Sequence, residues 1–109
     1  MPFSGYLQGK AKYMKIGPLT HIEKESIKEL GFPREPLALT PKEKEIRNRN
    51  IRRATKLGNN SKGKCRIIFH DGLGFKQVET TIWAMGEHHI SLKYGYTIPI
   101  DRIAAVHIL

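Results

Sequence analysis

Residues 65–85 read CRIIFHDGLGFKQVETTIWAM, two runs of β-branched and aromatic residues on either side of Asp71-Gly72-Leu73-Gly74. Such runs suit pleated, half-buried backbone, and Asp-Gly between them is a hairpin turn signal. The pattern continues downstream as HISLKYG, YTIPI and RIAAVHIL, separated by turn residues in MGEHH and YGY. Five short strands in residues 63–109 predict a small antiparallel curved sheet or an SH3/Sm-like barrel, and an α+β chain once the helices upstream are counted. In the second run Val78, Ile82 and Ala84 are assigned to the core, which leaves Trp83 on the other face. Pro99 has no N–H to give a ladder, so its strand belongs at an edge or bends there.

Upstream, Thr40-Pro41-Lys42-Glu43 combines an N-cap, a proline at the first helical position and the T-x-x-E spacing of a capping box. A helix over 40–58 follows, with Gly58, Asn59 and Asn60 as its expected stop. At ~100° per residue Ile46, Ile51, Ala54 and Leu57 fall within one arc of ~140°, together with Arg47 and Asn50, and form the expected buried side. Lys42, Arg49, Arg52, Arg53 and Lys56 gather on the opposite side as a basic stripe. Before this helix, Thr20 stands three residues ahead of Glu23, and Ile22, Ile27 and Leu30 lead to Gly31, which predicts a short helix. The alternation at Ala11 and Tyr13 hints at an earlier strand. GFPREPLAL, with two prolines, is an extended link pinned by Phe32, Leu37 and Leu39. The chain of 109 residues thus reads as one domain: residues 1–39 as strand, short helix and link, 40–58 as basic helix, 63–109 as the β portion.

The formal charge is +9, and it is concentrated. From Lys42 to Arg66 there are ten lysines and arginines against two acids, so that this segment carries +8 and the rest of the chain +1. A basic segment on a nearly neutral body is the pattern of an electrostatic docking surface. The ordinary alternative is a solvated helix that serves solubility. No apolar run approaches the ~18 residues of a membrane span, and MPFSGYLQGKAKYMK lacks the apolar block of a secretory signal. The expectation is a cytoplasmic protein without a membrane partner. A single cysteine, Cys65, excludes an intrachain disulfide and fits a reducing compartment.

Catalytic and metal-binding patterns are thin, and neither an enzyme nor a cofactor is expected. Of five histidines only His88 and His89 adjoin, and neighbours on a strand point to opposite faces. Lys64 and Arg66 flank Cys65, but nothing beside it supplies a base. DGLGF and GNNSKGK lack the spacing and strand-to-helix context of a phosphate-binding loop.

Function is therefore sought in binding. On the first expectation Arg49, Arg52, Arg53, Lys56, Lys62 and Lys64 meet the phosphates of nucleic acid, RNA more than DNA, and Tyr94, Tyr96 or Trp83 add base stacking. On the second, the stripe meets an acidic protein. The run ISLKYGYTIPIDRIAAVHIL resembles the closing strands of Sm-like and SH3-like small barrels. In Ile98, Ile100, Asp101, Arg102 and Ile103 it is similar to the closing segment of the Rho-binding antiterminator family. The glycine and Asn/Asp arrangement by which Sm rings hold a base is not evident, so that pocket does not carry over. GFPREPL, the basic helix and TTIWA also look like a small bacterial family without an assigned activity. Finally, Arg49 and Arg53 have the R-x-x-x-R spacing with which PilZ domains hold a cyclic dinucleotide. Asn59-Asn60-Ser61-Lys62-Gly63 stands one residue short of the companion motif, and too close to the arginines.

Overall fold

The computed structural model describes residues 19–109, so the strand expected around Ala11 and Tyr13 lies outside the described residues. Strands β2 (Cys65–His70) and β3 (Phe75–Thr80) form the hairpin read from sequence, with Cys65 opposite Thr80 and His70 opposite Phe75. Asp71 holds its turn: Oδ1 accepts from the Leu73 and Gly74 amides at 2.9 and 3.2 Å, while Gly72 takes a φ of 98° that side chains resist. The continuous apolar run of β2 has a reason. Ile67 and Phe69 point into the main core, while Ile68 points into a second cluster with Leu39, Phe75 and Ala104, so both faces of the strand are covered.

FKQVETTIWAM is not one strand. It bends at Thr81 into β3 and β4 (Ile82–Met85), and the two halves belong to different sheets. β4, β5 (His89–Leu92) and β6 (Thr97–Pro99) make a three-stranded antiparallel sheet in that order. β7 (Ile103–Ile108) returns to pair with β2, and the other sheet runs β1-β3-β2-β7, where β1 is Thr20–His21 lying parallel to β3. The architecture of the described residues is α+β with one main helix and sheets of four and three strands. Among the described residues the expected five-stranded sheet is thereby corrected to six strands after residue 63 plus one from before the helix, and these sheets do not close into a barrel. Pro99 lies on the edge strand β6, as its missing donor requires.

A register shift between Ile82 and Ala84 makes Trp83 an extra residue in β4 and inverts the alternation beyond it. Val78 and Ile82 are fully buried as expected and Met85 packs on the core, but Ala84 is exposed, against its assignment to the core.

The short helix is a 3-10 turn over Lys24–Glu29, and Thr20 does not cap it. The backbone of Thr20 and His21 is committed to β3, and the Ile22 amide donates to the Gln77 carbonyl at 2.9 Å, so the chain stays extended until Glu23. The link after it is irregular, with Leu39 buried and Phe32 and Leu37 half-buried as its anchors.

The main helix, α1, covers Pro41–Ser61. Its capping box forms as read: the Glu43 amide donates to Thr40 Oγ1 at 3.1 Å and the Thr40 amide to Glu43 Oε1 at 2.8 Å. Its end does not match, because the helix runs through Gly58 to Ser61 and is capped by Lys62 in the left-handed region, φ 55°. Gly58 is an interior helical residue. A Cβ there would overlap the Ile82 carbonyl oxygen and stand 2.8 Å from Thr81 Cγ2, so glycine permits close approach of helix and strand. That contact sets the helix's rotation. The buried positions are Arg47, Ile51, Ala54 and Gly58, about 40° round from the arc centred on the apolar residues. Ile46 and Leu57 end up 41% and 38% exposed, which corrects their assignment to the inward side.

α1 packs on β4 and β7. Arg47 Nη1 donates to the Ile103 carbonyl and Asn50 Nδ2 to the Val106 carbonyl, both at 3.2 Å. Among the described residues β7 is the last strand of its sheet, and these two side chains bond to carbonyls along it.

Candidate nucleic-acid interface

With Arg47, Ile51, Ala54 and Gly58 inward, the far side of α1 carries Arg49, Arg52, Arg53 and Lys56, all exposed. They are spaced i, i+3, i+4 and i+7, which places them on one face. Continuation of the helix past Gly58 adds Asn59 and Asn60 to that polar side. Lys62 ends the helix and Lys64 stands just ahead of β2, both exposed. The six residues named from sequence therefore divide into four on one helical face and two on the segment leaving its C-terminal end, where positive charge also suits the helix dipole.

Few acids oppose them. Arg49 Nη2 lies 3.9 Å from Glu45 Oε1 with both side chains more than half exposed, a weak pair. Among the described residues, Arg52, Arg53, Lys56, Lys62 and Lys64 form no ion pair. Glu79 is taken by Arg66 at 2.8 Å, which holds its carboxyl below the usual range and withdraws Arg66 from the patch. Glu87 lies 3.5 Å from His88.

Two arginines have roles that the sequence does not announce. Arg47, counted in the basic segment, is 5% exposed beneath the helix. Arg102, in the closing Asp-Arg-Ile corner, is 6% exposed. Its Nε donates to the His70 carbonyl at 3.0 Å, its Nη1 to the Glu35 carbonyl, and its Nη2 meets His70 Nδ1 at 3.0 Å. The Gly72 amide also donates to His70 Nδ1 at 3.0 Å, so the ring is neutral with its proton on Nε2. Burial first, then the Arg102 guanidinium, pushes the His70 pKa down. This arginine clamps link, hairpin and corner together.

Reactive groups fare otherwise. Cys65 is buried with Sγ 3.5 Å from the Thr80 carbonyl oxygen, and burial pushes its thiol up to about 12, far from a thiolate at neutral pH. His88 and His89 are exposed. No group of three His, Cys, Asp or Glu among the described residues is placed to hold a metal ion. No described helix is long and apolar enough to cross a membrane.

The exposed aromatics lie on the three-stranded side. Trp83 is half exposed on β4, and Tyr94 is 72% exposed in the Lys93–Gly95 turn between β5 and β6. Beside that turn is a shallow cleft of about 280 Å³ lined by Ile27, Lys28, Leu30, Phe32, Gly95, Tyr96 and Thr97. Comparison of the chain with protein-family models, with curated proteins and with solved structures found no match.

Proposed function

We propose that this chain is a non-catalytic binding module that docks on nucleic acid, RNA in preference to DNA, through the outward face of α1. The observation that carries the reading is the freedom of the charges: Arg52, Arg53 and Lys56 share an exposed face without an acidic partner among the described residues, with Arg49 beside them. Cations in that state are free to displace counterions from a phosphate backbone. Helix stability does not explain the cluster, since like charges at this spacing oppose it by a few tenths of a kcal/mol per pair, by order of magnitude. Lys62 and Lys64 extend the same contact. The resemblance of ISLKYGYTIPIDRIAAVHIL to the closing strands of Sm-like small barrels is the ground for favouring RNA.

The test is fluorescence anisotropy with labelled single- and double-stranded oligonucleotides at low ionic strength. Binding is expected, and Arg52→Glu with Arg53→Glu in one protein is expected to abolish it while circular dichroism stays unchanged. Absence of any binding by the unaltered protein rejects the reading.

A second reading, docking on an acidic protein, draws on Ile46 and Leu57, which lie exposed on α1 near its basic face. It predicts a protein partner that stays bound through nuclease treatment. A cyclic-dinucleotide site gains less support: Asn59, Asn60 and Ser61 are the last turn of the arginines' own helix, and Ser61 Oγ donates to the Leu57 carbonyl at 3.0 Å.

A further inference from the structure

We propose that Tyr94 is a base-stacking platform which, with Lys24 and Lys93, gives single-stranded nucleic acid a second contact outside α1. The inference rests on the nucleic-acid reading above and adds what that helix lacks, a group that meets a base.

Two described residues other than glycine have positive φ, Lys62 and Tyr94. Lys62 caps a helix, where the left-handed conformation is routine. Tyr94, at φ 69° and ψ 14°, caps nothing, and Gly95 follows it at φ 85°. Two successive left-handed residues make the kind of hairpin turn in which Asn-Gly is preferred. An aromatic residue at the first position gives up about 1 kcal/mol. The ring's 72% exposure means that burial does not offset this.

What surrounds the ring suits a nucleotide. Lys24 Nζ stands 5.4 Å and Lys93 Nζ 5.3 Å from the ring centroid, within cation–π range. The lysines come from different elements, the 3-10 turn and the β5–β6 connection, so the arrangement is tertiary. Lys24 has Glu25 3.4 Å away, with the carboxylate mostly in solvent, and Lys93 has no acid partner among the described residues. Beyond Gly95 the cleft continues with Tyr96, Phe32 and Lys28 in its lining. An exposed ring flanked by ammonium groups and leading to further aromatics offers stacking for a base and charge for its phosphates. A duplex keeps its base faces internal and has no use for the ring.

Tyr94→Asn removes the ring and leaves a residue that tolerates the left-handed turn, so the variant is expected to fold with unchanged or higher stability. Its affinity for a mixed-sequence single-stranded RNA should fall about tenfold, the loss of one base–aromatic stack, with duplex binding unaltered. Tyr94→Phe should bind single strands like the unaltered protein. If Tyr94→Asn binds single strands as well as the unaltered protein while the Arg52/Arg53 double variant has lost all binding, the platform is refuted and the helix reading stands. If Tyr94→Asn weakens single-strand binding and the double variant does not, the helix reading fails and the platform stands. Loss of duplex and single-strand affinity together in Tyr94→Asn also overturns the platform, since only a general defect would produce it.

Discussion

At position 58 the ordinary rule for glycine inside a helix is reversed. Replacing an exposed helical glycine with alanine stabilises by up to ~1 kcal/mol, because alanine leaves less backbone entropy to lose. At Gly58 the added methyl would meet the Ile82 carbonyl oxygen and Thr81 Cγ2, and the obstacle is partly strand backbone, which cannot rotate away. Gly58→Ala is therefore expected to destabilise by about 1–3 kcal/mol, the range for overpacking a tight contact. Asn60→Ala, an exposed position on the same helix, should be neutral or slightly stabilising. Urea denaturation of both variants measures the difference, and a Gly58→Ala protein more stable than the parent would mean that helix and strand do not approach so closely. Nothing local distinguishes Gly58 from a helix stop. A glycine followed by two asparagines is a good stop signal, and the residue that makes this one an interior contact lies 24 positions away.

Among the elements, two features were legible in the sequence and two were not. The capping box of α1 and the β2–β3 turn depend on residues two or three apart, and both form as their spacing implies. The rotation of α1 and the division of β3 from β4 depend on contacts between elements, which periodicity within one segment does not encode. Ile46 and Leu57 pulled the apparent buried face toward themselves, while the true face includes a glycine and an arginine. Arg102 shows the same limit, since its composition signal is only one more positive charge. Its clamp on His70 has a measurable consequence. His70 Nδ1 must stay unprotonated to accept from Gly72 and Arg102, and burial together with Arg102 lowers its pKa in the folded chain, outweighing the opposing pull of Asp71. A folded pKa below the unfolded value of about 6.5 means that the unfolded chain binds the proton more readily. This part of the stability is whole above about pH 6.5 and is lost as pH falls below that through the folded value. His107, whose pKa burial also lowers, contributes with the same sign. Denaturation midpoints across this range should fall with acid, and less so in His70→Asn, whose Oδ1 replaces the acceptor without titrating. Equal slopes in the two proteins would remove His70 from the account.

For the molecule as a whole, the question is whether a charge of +9 acts as a site or only as a solubilising coat. The fold narrows the count: of the ten lysines and arginines from Lys42 to Arg66, Arg47 is buried and Arg66 is paired, which leaves eight on α1 and its exit, six of them the proposed contacts Arg49, Arg52, Arg53, Lys56, Lys62 and Lys64. Each phosphate contact releases condensed counterions, so the logarithm of duplex affinity falls against that of salt with a slope of about −0.9 per contact. Contacts from the four helical residues imply a slope of about −3.6, and contacts from all six about −5.4. A slope near zero would leave the stripe as a coat. Charge reversal separates the two roles further. Glutamate at 52 would stand four residues ahead of Lys56, and glutamate at 53 four residues after Arg49, so both create favourable i, i+4 pairs where like charges now repel. The Arg52→Glu, Arg53→Glu protein is therefore expected to gain a few tenths of a kcal/mol in stability while it loses nucleic-acid binding. A coat predicts the first change without the second. A surface kept for docking against its own helix's stability predicts both, and thermal denaturation beside a salt titration on the same two proteins reads the distinction directly.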